Sequence, residues 1–69
     1  MKPDEIAKLT KYFRNTFSLQ TISARKRPQK DDSCEVYIGD EFIGVISKDE
    51  EEGELSYHFS MAILDIDLE

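Results

Sequence analysis

The sequence predicts an α+β domain spanning residues 1–69: one N-terminal helix packed on a four-stranded antiparallel meander, in the order α-β-β-β-β. Three observations carry this. Apolar residues near the start recur at helical spacing. Two runs rich in β-branched and aromatic residues flank Gly39-Asp40, a two-residue hairpin connection in which glycine accepts the positive φ of a primed turn. Leu55 to Ala62 alternates large apolar with small or polar side chains, the signature of a strand with one buried face.

The helix opens at Lys2-Pro3-Asp4-Glu5. Proline is tolerated in a first turn, and acids there suit the positive end of the helix dipole. Ile6, Leu9, Phe13 and Phe17 form one apolar stripe over about four turns, with Lys8, Lys11 and Arg14 off it. Asn15-Thr16-Phe17-Ser18 weakens helix propensity and marks the exit. A strand follows from Thr21, then the loop Pro28–Asp32. Pairing Arg27 with Ser33 across that loop sets Ile22 against Ile38, Ala24 against Val36 and Arg25 against Glu35.

In the central hairpin a regular register sets Ile38 against Glu41, Tyr37 against Phe42, Val36 against Ile43 and Cys34 against Val45. Alternation then puts Cys34, Val36, Ile38, Ile43 and Val45 on an aliphatic core face under the helix. Glu35, Tyr37, Phe42, Gly44 and Ile46 go to the opposite, mixed face. In the last strand Tyr57 is expected opposite Val45 and Phe59 opposite Ile43, which leaves His58 beside Gly44 and Ser60 beside Phe42. The tail Ile63–Leu68 alternates with its phase slipped by one. It reads as extended after a bulge near Ile63, or as a final helical turn on Met61, Leu64 and Leu68.

Composition narrows the functional classes. One cysteine rules out an intrachain disulfide, and Cys34 with His58 alone builds no zinc site. On the aliphatic face Cys34 reads as a small buried hydrophobe, with no basic neighbour to activate it. No apolar run approaches the roughly 18 residues of a membrane span, and no signal-peptide segment follows Met1, so the expected location is the cytoplasm. The net charge of −6 is unevenly spread. Residues 1–30 carry eight Lys/Arg against two acids, and residues 31–69 thirteen acids against one lysine. Such a split holds a fold together by cross-element pairing or leaves a basic patch on one side.

The candidate sites are few. Arg25, Lys26, Arg27 and Lys30 could contact nucleic-acid phosphates. The plainer reading pairs Arg25 with Glu35 and uses Lys26 and Arg27 to guard a sheet edge. The acidic turn Lys48–Glu54 fails as an EF-hand loop, because a lysine occupies the first ligand position counted back from Gly53. His58 has no evident acid or nucleophile to work with, and the three glycines are isolated. These residues point to no enzyme, cofactor or metal. The mixed sheet face remains: Tyr37, Phe42 and Ile46 with His58 nearby form an expected partner surface, most simply for a homodimer.

The strings KPDEIAKL, DDSCEVYIGDEFIGV and GELSYHFSMAILDIDL resemble a family of small uncharacterised alphaproteobacterial proteins, catalogued as a domain of unknown function. The resemblance covers nearly the whole chain, least distinctively over residues 18–30. It implies a stand-alone cytoplasmic protein and assigns no activity, cofactor or catalytic residue.

Overall fold

In the computed structural model, which describes residues 1–69, helix α1 (Pro3–Phe17) is followed by β1 (Ile22–Lys26), β2 (Ser33–Ile38), β3 (Glu41–Asp49) and β4 (Ser56–Ser60). The strands form one antiparallel sheet in the order β1-β2-β3-β4, so the predicted α+β meander stands. Short 3₁₀ turns occupy Glu51–Gly53 and Asp65–Leu68.

Local chemistry explains the element ends. Glu5 Oε1 accepts the Lys2 backbone N–H at 3.2 Å, satisfying one of the free donors at the helix N-terminus. The helix stops at Ser18, whose backbone is left-handed (φ 53°) and lets Leu19 N–H bond to the Arg14 carbonyl at 3.1 Å. Gly39 has φ 61° and is the only residue of the Gly39-Asp40 turn with positive φ, as a II′ hairpin turn requires.

The β1–β2 register is the expected one, with Ile22 opposite Ile38, Ala24 opposite Val36 and Arg25 opposite Glu35. The β2–β3 register holds through Ile38–Glu41 and Tyr37–Phe42 and then slips. Val36 lies opposite Gly44, Glu35 opposite Val45 and Cys34 opposite Ile46. Ile43 is therefore the extra residue of a β-bulge, which puts Ile43 and Gly44 on the same side of β3 and reverses the two faces beyond it. This corrects three expectations. Val45 faces away from the helix. Ile46 turns under the helix and is 1 % exposed. The sheet's register shift falls at Ile43, where a regular ladder was expected.

The bulge also moves the β4 register. Phe59 pairs with Ile46 and Tyr57 with Lys48, while His58 lies beside Ser47 and Ser60 beside Val45. Tyr57 and Phe59 nonetheless keep the helix side, because the bulge and the three-residue change of register together preserve their parity. The tail is not a strand: Met61–Leu64 is irregular and a 3₁₀ turn follows, with Asp67 accepting the Leu64 N–H at 3.0 Å.

The core comprises Met1, Phe13, Ile22, Ala24, Cys34, Val36 and Ile46, with Ile6, Leu9, Ile38, Ile43, Tyr57 and Phe59 packed against it in part. Phe17, expected in the core, is half exposed and stacks on Phe13 at 5.5 Å. Arg14, expected in solvent, donates from Nε to the Ile22 carbonyl at 2.9 Å, and Thr10 Oγ1 accepts the Ala24 N–H at 3.0 Å. These two bonds draw the helix to the outer edge of β1. Its cover thus falls on one half of the sheet, and the helix side of β3 and β4 is left partly open.

Candidate functional site

That open half forms an apolar groove of about 390 Å³ between α1 and β4. Leu9, Phe13, Ile46 and Phe59 make its floor, and Glu5, Lys8, Tyr12 and Tyr57 its rim. The floor exists because the bulge turns Ile46 inward and because Phe59 meets Phe13 edge-on at 5.3 Å. The volume falls in the range that small ligands and anchoring side chains fill.

One end of the groove is closed by a polar knot joining three elements. Glu5 Oε2 accepts from Tyr57 Oη at 2.8 Å and is ion-paired with Lys48 Nζ at 2.9 Å. Lys48 also reaches Glu50 at 3.3 Å. The Lys48 ammonium, the Tyr57 hydroxyl and the Lys2 N–H all favour the carboxylate and lower the Glu5 pKa to about 2. The same bonds raise the Tyr57 and Lys48 pKa values. Each group is pushed away from neutrality, so the knot fastens the helix to β3 and β4 and is poorly suited to proton transfer. Sequence reading did not find it: its members are far apart in the chain, and only the β4 register brings Tyr57 and Lys48 side by side.

The sheet's outer face holds part of the expected partner surface. Tyr37 and Phe42 meet edge-on at 5.7 Å. The Arg25 guanidinium lies 4.0 Å above the Tyr37 ring and donates to the Gly39 carbonyl at 2.8 Å. Arg25 approaches Asp40 at 3.9 Å rather than the expected Glu35, whose carboxylate accepts the Tyr37 hydroxyl at 3.1 Å. Ile46 is missing from this face because it is buried on the other. His58 sits at the far end of the sheet, 3.6 Å from Asp49 and 3.3 Å from Ser56. The four residues therefore do not form one patch.

Among the basic residues, Arg27 donates to Ser33 Oγ at 3.3 Å and Arg25 is engaged as above, whereas Lys26 and Lys30 are exposed and make no ion pair. The acidic loop Glu50–Glu54 is exposed and the neighbouring Asp49 half-buried, and their carboxylates do not converge into a group able to hold a metal ion. Cys34 is fully buried, and loss of water around it raises its thiol pKa. No helix is long and apolar enough to cross a membrane.

The tail is the feature with no counterpart in the core. Met61, Ile63, Leu64, Ile66 and Leu68 are 48–73 % exposed. The tail's near contacts are with the start of β3, where Met61, Ala62, Leu64 and Asp67 border a shallow hollow with Phe42 and Val45.

No curated protein and no solved structure matches the chain. A family model described as protein of unknown function (DUF3126) matches residues 5–67, which takes in all but the first residues of the helix, all four strands, the groove and most of the tail. The chain therefore belongs to the DUF3126 family of proteins of unknown function.

Proposed function

We propose that this chain is a non-catalytic protein-interaction module that acts by associating with itself. The observation that carries this is unburied apolar surface. Nine large hydrophobic side chains are about half exposed or more, five of them in the tail. The accessible surface of 5423 Å² exceeds by about 1,000 Å² the roughly 4,450 Å² of a compact monomer of 8.0 kDa. An extended surface that carries so many exposed large apolar side chains supports the reading of a partner-binding surface. The shifted pKa values of Glu5, Lys48 and Tyr57 support a fastening role for the one clustered polar site.

The reading is tested by sedimentation velocity from about 1 to 200 μM, a range set to bracket micromolar affinity. A concentration-dependent shift from monomer to dimer is expected, and a single monomeric species throughout would overturn self-association. Nucleic-acid binding through Arg25, Lys26, Arg27 and Lys30 draws less support, since only Lys26 and Lys30 are free of partners within the fold. Adding a short RNA at low salt to the same samples serves as its control.

A further inference from the structure

We infer that the tail Met61–Leu68 of one chain docks in the α1–β4 groove of a second copy, and that the exchange is reciprocal. This rests on the self-association reading and names the surfaces that perform it. The two surfaces match in chemistry. The groove is apolar on its floor, with Lys8 on the rim, and Lys8 makes no ion pair. The one acid on the rim, Glu5, is already held by Lys48. The tail offers the complement: exposed Ile63, Leu64, Ile66 and Leu68 interleaved with Asp65, Asp67 and Glu69. The unpaired Lys8 on the rim thereby faces an acidic tail, and their opposite charges guide the encounter.

Within one chain the two surfaces do not meet. None of residues 60–69 lines the groove, and the tail borders Phe42 and Val45 instead. The chain measures 42 × 24 × 23 Å, and its radius of gyration of 12.7 Å exceeds the roughly 11 Å of a compact domain of this length. The quantity of surface also fits. The excess of about 1,000 Å² over a compact monomer is close to the roughly 800 Å² that each partner contributes to a stable interface. A tail-to-groove contact made twice about a two-fold axis closes at two copies and leaves neither surface exposed.

Charge exchange on exposed positions tests this without touching the core. One variant carries Lys8→Glu. The other carries Asp65→Lys and Glu69→Lys, which spares the Asp67 cap on Leu64. Each alone sets like charges against each other, so its dimer dissociation constant rises about tenfold or more at low salt. An equimolar mixture re-forms a mixed dimer, because the acidic tail of the first variant suits the unaltered groove of the second, and the basic tail of the second suits the reversed groove of the first. Recovery of dimer in the mixture to near the wild-type level supports the exchange. Variants that each dimerise like wild type would overturn it while leaving self-association standing through another surface. Monomeric variants whose mixture also stays monomeric would overturn it, since the complementary pair of surfaces would then be present without association. A wild-type chain that never dimerises removes both readings.

Discussion

Glu5 is where a single side chain joins the helix to the far half of the sheet. Its carboxylate accepts from Tyr57 and pairs with Lys48, and its pKa falls to about 2 from an ordinary value of 4.5. A lowered folded-state pKa means that the unfolded chain takes up the proton first. The contribution of Glu5 to stability is therefore fully present above about pH 4.5 and drains away as the pH falls through about 2. Glu5→Gln is expected to lower the urea midpoint at pH 7 and to flatten the stability profile between those two pH values. Parallel profiles for the variant and the wild type, from denaturation series at pH 2 to 7, would show that the knot contributes nothing through its charge. At the same scale, Gly44 is set by contact rather than by backbone angle. A Cβ there would meet the Ser60 carbonyl at 2.5 Å and Phe59 Cε1 at 2.7 Å. Gly44→Ala is thus expected to cost about 1–3 kcal/mol by overpacking, read as a lower urea midpoint. An unchanged midpoint would mean that β4 can slide outward freely.

The elements divide into those written plainly in the chain and those settled by contacts the chain does not advertise. The helix, the Gly39-Asp40 turn and the β1–β2 register were all legible, because each rests on a pattern contained in a few residues. Beyond the turn, Ile43, Val45 and Ile46 are apolar in both parities, so alternation alone cannot say which of them faces the helix. A glycine inside a strand is the one local sign of a bulge, and Gly44 is that sign. Missing it turned Val45 inward and Ile46 outward, and with Ile46 went the continuity of the Tyr37, Phe42 and His58 surface. The groove was hidden for a different reason. It depends on where the helix lies across the sheet, which Thr10 and Arg14 set through two bonds to β1, and both are polar residues that helical periodicity assigns to solvent.

Across the whole molecule, a small well-packed half supports a half that is open. Phe13, Ile22, Cys34, Val36 and Ile46 close the core around β1, β2 and the middle of β3, whereas every residue from Met61 onward is exposed. The body should accordingly stand without its last turn. Ending the chain after Ala62 is expected to change the unfolding free energy of the dilute monomer by no more than about 0.5 kcal/mol, while abolishing the concentration dependence of its sedimentation. A large loss of stability in dilute solution would instead mean that the tail belongs to the fold of its own chain.

The bonds from Thr10 and Arg14 to the outer edge of β1 have a consequence for valence. A sheet with both edges open can add copies at each end without limit, the route to filaments. Here one edge is stoppered, since the Ala24 N–H and the Ile22 carbonyl are already occupied by the helix, and no backbone bond from elsewhere in the chain reaches the outer edge of β4. Strand-to-strand growth therefore has one point of attachment per molecule. A strand added by hydrogen bonding can join this sheet at β4 alone, and a sheet with one open edge cannot propagate in both directions.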